Sequence, residues 1–391
     1  MNEIFSKLNR LQKISFAAGV LFLILCGVGI AFEPREFFIS YLIAFIFWVG
    51  LTLGCLNAAM IHYLTAGRWG NATRRFLEAG FMTLPLMAIF FIPILFGLHD
   101  LYAWARPEAV AADKILQKKA VYENFYCFLI RAIFFFGICI LIATRLRKWS
   151  LQQDETTEVA PTIRLRTLSG PGIVIIPLLT TFAFVDWIMS IEPAWFSTVF
   201  GVVLLSGQIL NTFAFAIILL AWFQPHSPFR EIVMEKYFHD LGNLLLAFVM
   251  FWTYVAFSQF LIIYSGNQPH EIGWYLHRIA GNWKWLAAFI GLFHFFIPFF
   301  VLLFRSVKKN IPTLATVAVL IFIVHALEIF WVIAPTFYTG GIKIHWTDFA
   351  AWLGIGGIWL AVFSGNLKRH PLLARNDPRI EQSIAQTADA K

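Results

Sequence analysis

The sequence predicts an all-α integral membrane protein of about ten transmembrane helices, and three observations predict it. Hydrophobic residues make up 59% of the 391-residue chain and charged residues only 13%, whereas soluble domains are about half apolar and a quarter charged. The apolar residues fall in blocks of roughly 20, the length that crosses a hydrocarbon core of ~30 Å at ~1.5 Å per residue. Between the blocks lie polar connections, none of which reads as a soluble catalytic domain.

The first block, 14–32, follows Lys7, Arg10 and Lys13. It is longer than the apolar core of a secretory signal and no clear cleavage site follows it, so it reads as a retained span after a short segment, 1–13. Spans two and three, 38–64 and 76–98, are joined by a basic connection holding Arg68, Arg74 and Arg75. A polar segment over 99–122 follows, in which AVAADKILQKKAVYENF reads as a surface helix. Span four, 123–144, begins at Glu123 and carries Arg131 two turns on, and a polar basic loop over 145–170 leads to span five, 171–190. A short turn with Glu192 and Pro193 precedes span six, 198–223. Span seven, 240–264, begins at His239 and Asp240 and ends in a loop with Asn267, Pro269, Glu271, Trp274, Tyr275 and Arg278. Spans eight, nine and ten take 283–304, 312–333 and 347–364, and a polar tail runs over 365–391. Residues 14–364 thus form one polytopic domain. Spans two to five and six to nine would make two four-helix bundles, with the first and tenth as peripheral helices, although the two groups share no sequence similarity that argues a repeat.

Lys and Arg set the orientation. Of 30, 21 fall on the side that holds the N-terminus and 8 on the other, with Arg131 inside a span. The positive-inside rule then places both termini in the cytoplasm. Trp187, Trp195, Trp274, Trp283, Trp285 and Trp346 form a belt at the outer face. The net charge of +8 is loop charge of this kind and not a nucleic-acid footprint. Cys26, Cys55, Cys127 and Cys139 lie in or beside apolar runs with no CxxC or Cys–His cluster, which argues against iron–sulfur, zinc or attached c-type haem.

A charge on a helix at mid-bilayer costs ~2.5–3.5 kcal/mol or more and must face protein or water. The deep set is Arg131, Asp186, His294, His325 and Glu328, with Asn57, Gln208, Asn211, Ser258 and Gln259 as neutral company. His325 and Glu328, three apart, share a helix face. They read as a hydrogen-bonded pair or a proton relay. A metal would need a third ligand, and no second matched pair appears. His294 stands four before Pro298, which cannot donate to its carbonyl; it reads as a satisfied core histidine, and a bis-histidine haem with His325 is disfavoured because each span offers one central histidine. Asp186 could cap, pair with Arg278 or Arg131, or form the outer mouth of a proton route. Asp240 and His239 read as a helix N-terminal cap or an inner proton entrance. Glu123, His239, Asp240, His294, His325, Glu328, Asp186 and Arg131 are therefore the candidate proton path. No residue reads as catalytic. For an alternative quinone site, His239 and Asp240, or Asp186 with Tyr254, could supply the polar partners of an apolar slot. A secondary transporter would want matched broken helices, and Pro85, Pro93, Pro177 and Pro298 show no matched pattern.

At DWIMSIEPAWFSTVFG and FSQFLIIYSGNQPHEIGWYLHRIAGNW the chain resembles the NrfD/polysulfide-reductase-type membrane subunits, most closely the smaller of the two in bacterial alternative complex III. The matching elements are Asp186-Trp187, Met189-Ser190, Pro193, Trp195 to Thr198, Phe257-Ser258-Gln259, Asn267, Pro269, Glu271, Trp274 and Arg278, and the likeness covers nearly the whole chain. One departure is visible: Ile263-Tyr264 stands where a Trp-Tyr pair precedes the Asn-x-Pro. The resemblance implies a redox-silent subunit of a quinol:cytochrome c oxidoreductase in the bacterial cytoplasmic (inner) membrane, acting as scaffold and proton path, or else binding menaquinone or ubiquinone itself. It implies no cofactor on this chain. The implied partners are a larger sister subunit, an iron–sulfur subunit, multihaem c-type cytochromes, membrane lipid and, downstream, a haem-copper oxidase.

Overall fold

The computed structural model describes residues 2–374 and Asn376. Ten helices among them are long and apolar enough to cross a membrane: α1 (Glu3–Phe32), α2 (Pro34–Thr65), α3 (Arg68–Phe96), α4 (Phe125–Glu155), α5 (Ala160–Ile191), α6 (Phe200–Phe223), α7 (Glu235–Gly266), α8 (Trp283–Leu303), α9 (Ile311–Phe337) and α10 (Trp346–Lys368). No strand occurs among the described residues. The chain is an all-α, multi-pass membrane protein.

The helices pack as two rings of four. In one, α2 meets α3 and α5, and α4 closes the ring between α3 and α5; in the other, α6 meets α7 and α9, and α8 closes it. The rings join back to back through α2 and α6. These two are buried over 100% and 89% of their apolar stretches, whereas α1, α7 and α8 are buried over less than a third of theirs, so α2 and α6 are the hub and α1, α7 and α8 the rim. α1 and α10 pair with each other and lie against α2, outside both rings.

Small residues permit the close approaches, as is usual between helices in lipid. A Cβ on Gly54 of α2 would stand 2.1 Å from the Thr212 hydroxyl of α6, and one on Gly50 would stand 2.7 Å from Gln208. On α1, a Cβ at Gly19 would collide with the Ile358 amide at 2.6 Å, and one at Gly357 with the Cα of Gly19 at 2.6 Å.

Several boundaries depart from the sequence reading. The basic connection after α2 is helical from Arg68, and α3 is interrupted at Met82 and Thr83 before it restarts at Leu84, one residue before Pro85. The segment expected to be a loop over 145–170 is mostly helix, because α4 runs on to Glu155 and α5 starts at Ala160. At 31 residues, α4 is ~46 Å long and overruns a ~30 Å core, so its polar end continues as helix in a region hydropathy reads as loop. The surface segment holds two short helices, Pro107–Ala112 and Lys114–Lys119. The N-terminal segment 1–13 is not separate, since α1 includes it from Glu3. Of the predicted tail, α10 takes the start to Lys368, while 375 and 377–391 lie outside the described residues.

α8 is irregular at its centre. Gly291–Phe296 is π-helical, and the amide of Ile297 reaches back to the Leu292 carbonyl. Pro298 has no N–H to give the carbonyl of His294, and a widened turn is one way a helix absorbs such a loss.

Candidate functional site

The π-helical turn carries His294 into the middle of the α6–α9 ring, where it meets α9. Glu328 Oε2 lies 2.9 Å from His325 Nδ1 and 3.3 Å from His294 Nδ1. Its other oxygen accepts a hydrogen bond from the Trp252 indole of α7 at 2.7 Å. The Trp252 and His294 rings lie 4.4 Å apart, and the two imidazoles 5.8 Å apart. All three ionisable groups are buried. Gly207 of α6 makes the room: a Cβ there would sit 3.1 Å from His325 Cε1 and 3.3 Å from Trp252 Cδ1. One carboxylate oxygen held between two imidazoles can pass a proton from either ring to the other.

Polar groups without partners lie beside this triad. Both ring nitrogens of His294, Nε2 of His325, both side-chain polar atoms of Gln208 and of Asn211, and Oδ1 of Asn57 are buried with no hydrogen-bond partner among the described residues. Gln208 and Asn211 follow Gly207 on α6, and Asn57 is on α2. Buried amides of this kind are normally paired, so the α2–α6 seam holds unspent hydrogen-bonding capacity next to Gly207. On the other side, a cavity of about 820 Å³ between α6, α7, α8 and α9 is lined by Glu328, Trp252, Tyr254, Gln259 and Tyr275 among apolar residues. Gln259 donates to the Tyr275 hydroxyl at 3.2 Å and accepts from Ser197 at 2.9 Å. Burial pushes the Tyr275 phenol up to about 12, so it is neutral at physiological pH.

The remaining sequence candidates stand apart. Arg131 and Asp186 form a two-pronged ion pair, 2.7 and 3.0 Å, and Arg131 also lies 3.8 Å from the Tyr122 ring centroid. Of the two partners open to Asp186, the structure selects Arg131. No bond among the described residues links this pair to the triad. Glu123 is not on α4 but in the turn before it, where Asn124 caps the helix; it lies 3.6 Å from Lys119, and burial pushes its carboxyl above the ordinary range. His239 and Asp240 do not cap α7, which starts at Glu235 after Met234. Asp240 lies 3.4 Å from Arg68. Fifteen residues separate His239 from Tyr254, or ~22 Å along a helix, so of the proposed quinone partners Tyr254 borders the large cavity, Asp186 borders a smaller one on α4 and α5, and His239 and Asp240 stand at the end of α7. Where the sequence offered only the His325–Glu328 pair, the fold adds a third potential ligand: His294, His325 and Glu328 each offer a ligand atom within 4.8 Å of the others. The third ligand comes from a different helix, which spacing along one span cannot reveal.

Two clusters escaped the sequence reading. Glu78 of α3 is fully buried and binds Arg74 at 3.0 Å, Arg75 at 2.5 Å, Arg147 and Ser150; Arg75 also binds Asp154. The RRxxE spacing over 74–78, with charges three and four apart on one face, was the available signal. Arg278 is buried outside the spans, on Pro269–Ile279. It binds Glu192 at 2.9 Å, the Thr336 hydroxyl at 3.0 Å and the carbonyls of Trp274 and Val332, and it stacks on Trp274 at 3.6 Å. Burial pulls its pKa down to about 10, opposed by Glu192, so it stays charged at neutral pH. Arg278 thus clamps the α5–α6 turn to α9. No family model matches this sequence, and no curated protein matches it.

Proposed function

We propose that the chain is a redox-silent membrane subunit of a respiratory quinol:cytochrome c oxidoreductase of the alternative complex III type, and that its His294–His325–Glu328 group is a proton-exchange point. The assembly rests on the motifs from Asp186 to Thr198 and from Phe257 to Arg278. The proton role rests on one observation: Glu328 Oε2 stands between two buried imidazoles, at 2.9 and 3.3 Å. A proton arriving on either imidazole can move to the carboxylate oxygen and on to the other ring, with the unpartnered amides on one side and the large cavity on the other as approaches. On this reading the partners are the larger sister subunit, the iron–sulfur subunit and the multihaem cytochromes. The membrane is the bacterial inner membrane, with both termini cytoplasmic by the Lys and Arg distribution.

The test is Glu328→Gln in the intact complex, reconstituted in vesicles. Proton-to-electron stoichiometry should fall while subunit composition and quinol oxidation persist; unchanged stoichiometry would remove the relay. Purification of the chain as a free monomer, without haem- or cluster-bearing partners, would remove the assembly. A second reading, a quinone site on this chain, is favoured by the 820 Å³ cavity with Tyr254, Gln259, Tyr275 and Glu328 on its wall, a size suited to a ring ligand. Photo-crosslinking of a quinone analogue to this wall, and not to the sister subunit, would favour it.

A further inference from the structure

We propose that His294, His325 and Glu328 also form a binding site for a tetrahedral d-block dication, Zn²⁺ by preference. Two imidazoles and one carboxylate make the three-ligand set that leaves a fourth position open on zinc. Zn–N and Zn–O bonds of ~2.0–2.1 Å require ligand atoms ~3.3 Å apart in a tetrahedron. Two of the three edges are already close to this: the shared Glu328 oxygen lies 2.9 Å from His325 Nδ1 and 3.3 Å from His294 Nδ1. The third edge, between the imidazoles, is at most 4.8 Å, and rotation of one ring can shorten it.

Three further observations favour a cation. His294 is fully buried, and neither of its ring nitrogens has a hydrogen-bond partner among the described residues; a metal bond would satisfy one. Glu328 is held by hydrogen bonds with the Trp252 indole and the His325 imidazole, with the His294 ring 3.3 Å away and no Lys or Arg among its bonded partners. Its charge therefore needs either a proton or a metal ion at that spot. The Trp252 bond at 2.7 Å holds the carboxylate's other oxygen, the kind of outer contact that orients metal ligands. The cavity bordered by Glu328 gives a route of entry and space for a water as fourth ligand. Binding to the protonated group would release the shared proton as the dication takes its place, so zinc and proton compete. The binding itself rests on these side chains alone, whatever assembly the chain joins.

The experiment uses the full-length chain purified from membranes with any subunits that accompany it. After chelator treatment it is given Zn²⁺, desalted and analysed for metal by mass spectrometry and X-ray absorption. The expected result is about one zinc per chain beyond that of His294→Gln and Glu328→Gln, in a nitrogen/oxygen shell with imidazole scattering. Trp252→Phe keeps all three ligands and should weaken affinity by ~10-fold or more, which covers the chance that a ligand variant misfolds. Asp186→Asn should retain the zinc. No zinc retained by the unaltered chain, equal zinc in all variants, or a sulfur shell from the cysteines would each overturn the site. Metal content is read without turnover, so a chain that binds no zinc can still relay protons, and the two proposals fail separately.

Discussion

Replacing Arg278 by alanine removes a guanidinium that makes five hydrogen bonds, to Glu192, Thr336 and the carbonyls of Trp274 and Val332, the last accepting two. Breaking a buried ion pair by deleting one partner costs ~3–5 kcal/mol, because the other charge is stranded. Glu192 retains the Thr336 hydroxyl and has His277 at 3.6 Å, and its side chain is 15% exposed. The cost should therefore fall at the low end, about 3 kcal/mol. Arg278→Lys should lose less, since an ammonium can hold Glu192 but cannot also fork to Val332 and Thr336. Removing Glu192 as well should recover part of the loss, with a coupling energy of about 2 kcal/mol in the double-mutant cycle. The assay is unfolding of the full-length chain in nanodiscs, followed by tryptophan fluorescence. A coupling energy below ~0.5 kcal/mol would show that the two residues do not act as a clamp, and the reasoning would fail.

Glu78→Gln should destabilise by about 3–5 kcal/mol in the same unfolding assay, because Arg74, Arg75 and Arg147 converge on that one carboxylate. Gly356→Val should prevent α10 from docking, since a Cβ there would stand 2.1 Å from the Trp48 ring; low yield and aggregation in size exclusion would report it. Gly137→Ala, where a Cβ meets nothing within 4 Å, should stay within ~0.5 kcal/mol of the parent. Cys127 is half-buried while Cys26, Cys55 and Cys139 are buried, so a membrane-impermeant maleimide should label Cys127 from the outside of intact cells. Labelling only in inverted vesicles would reverse the proposed orientation.

Hydropathy was a good guide to the ten spans because lipid and protein interior both demand apolar side chains, so α7 facing outward and α2 wholly enclosed read alike. For the same reason it could not tell the hub from the rim. His325 and Glu328 were legible as a pair, since three-residue spacing on a helix puts them on one face. His294 was legible as a deep candidate but its approach to Glu328 was not, because its inward aim depends on the π-helical turn and on Gly207 of a third helix. Asp186 and Arg131 lay in the right class of partners, but only packing could choose between Arg131 and Arg278. Glu123, His239 and Asp240 were misplaced by boundaries of a few residues, which hydropathy does not resolve. Arg74, Arg75 and Arg147 were counted as loop charge, although each turns toward Glu78 and away from solvent.

The pairing of α1 with α10 has a consequence for biogenesis. Of the ten described helices α1 is synthesised before the others, yet the surface that fits Gly19 is presented by Gly357 on α10, synthesised after them. Until then α1 rests in lipid with its principal neighbour missing and only α2 to hold it. Docking of α10 therefore ties α1 to a helix made eight spans after its neighbour α2, and a ribosome stalled before residue 346 would leave α1 without that partner.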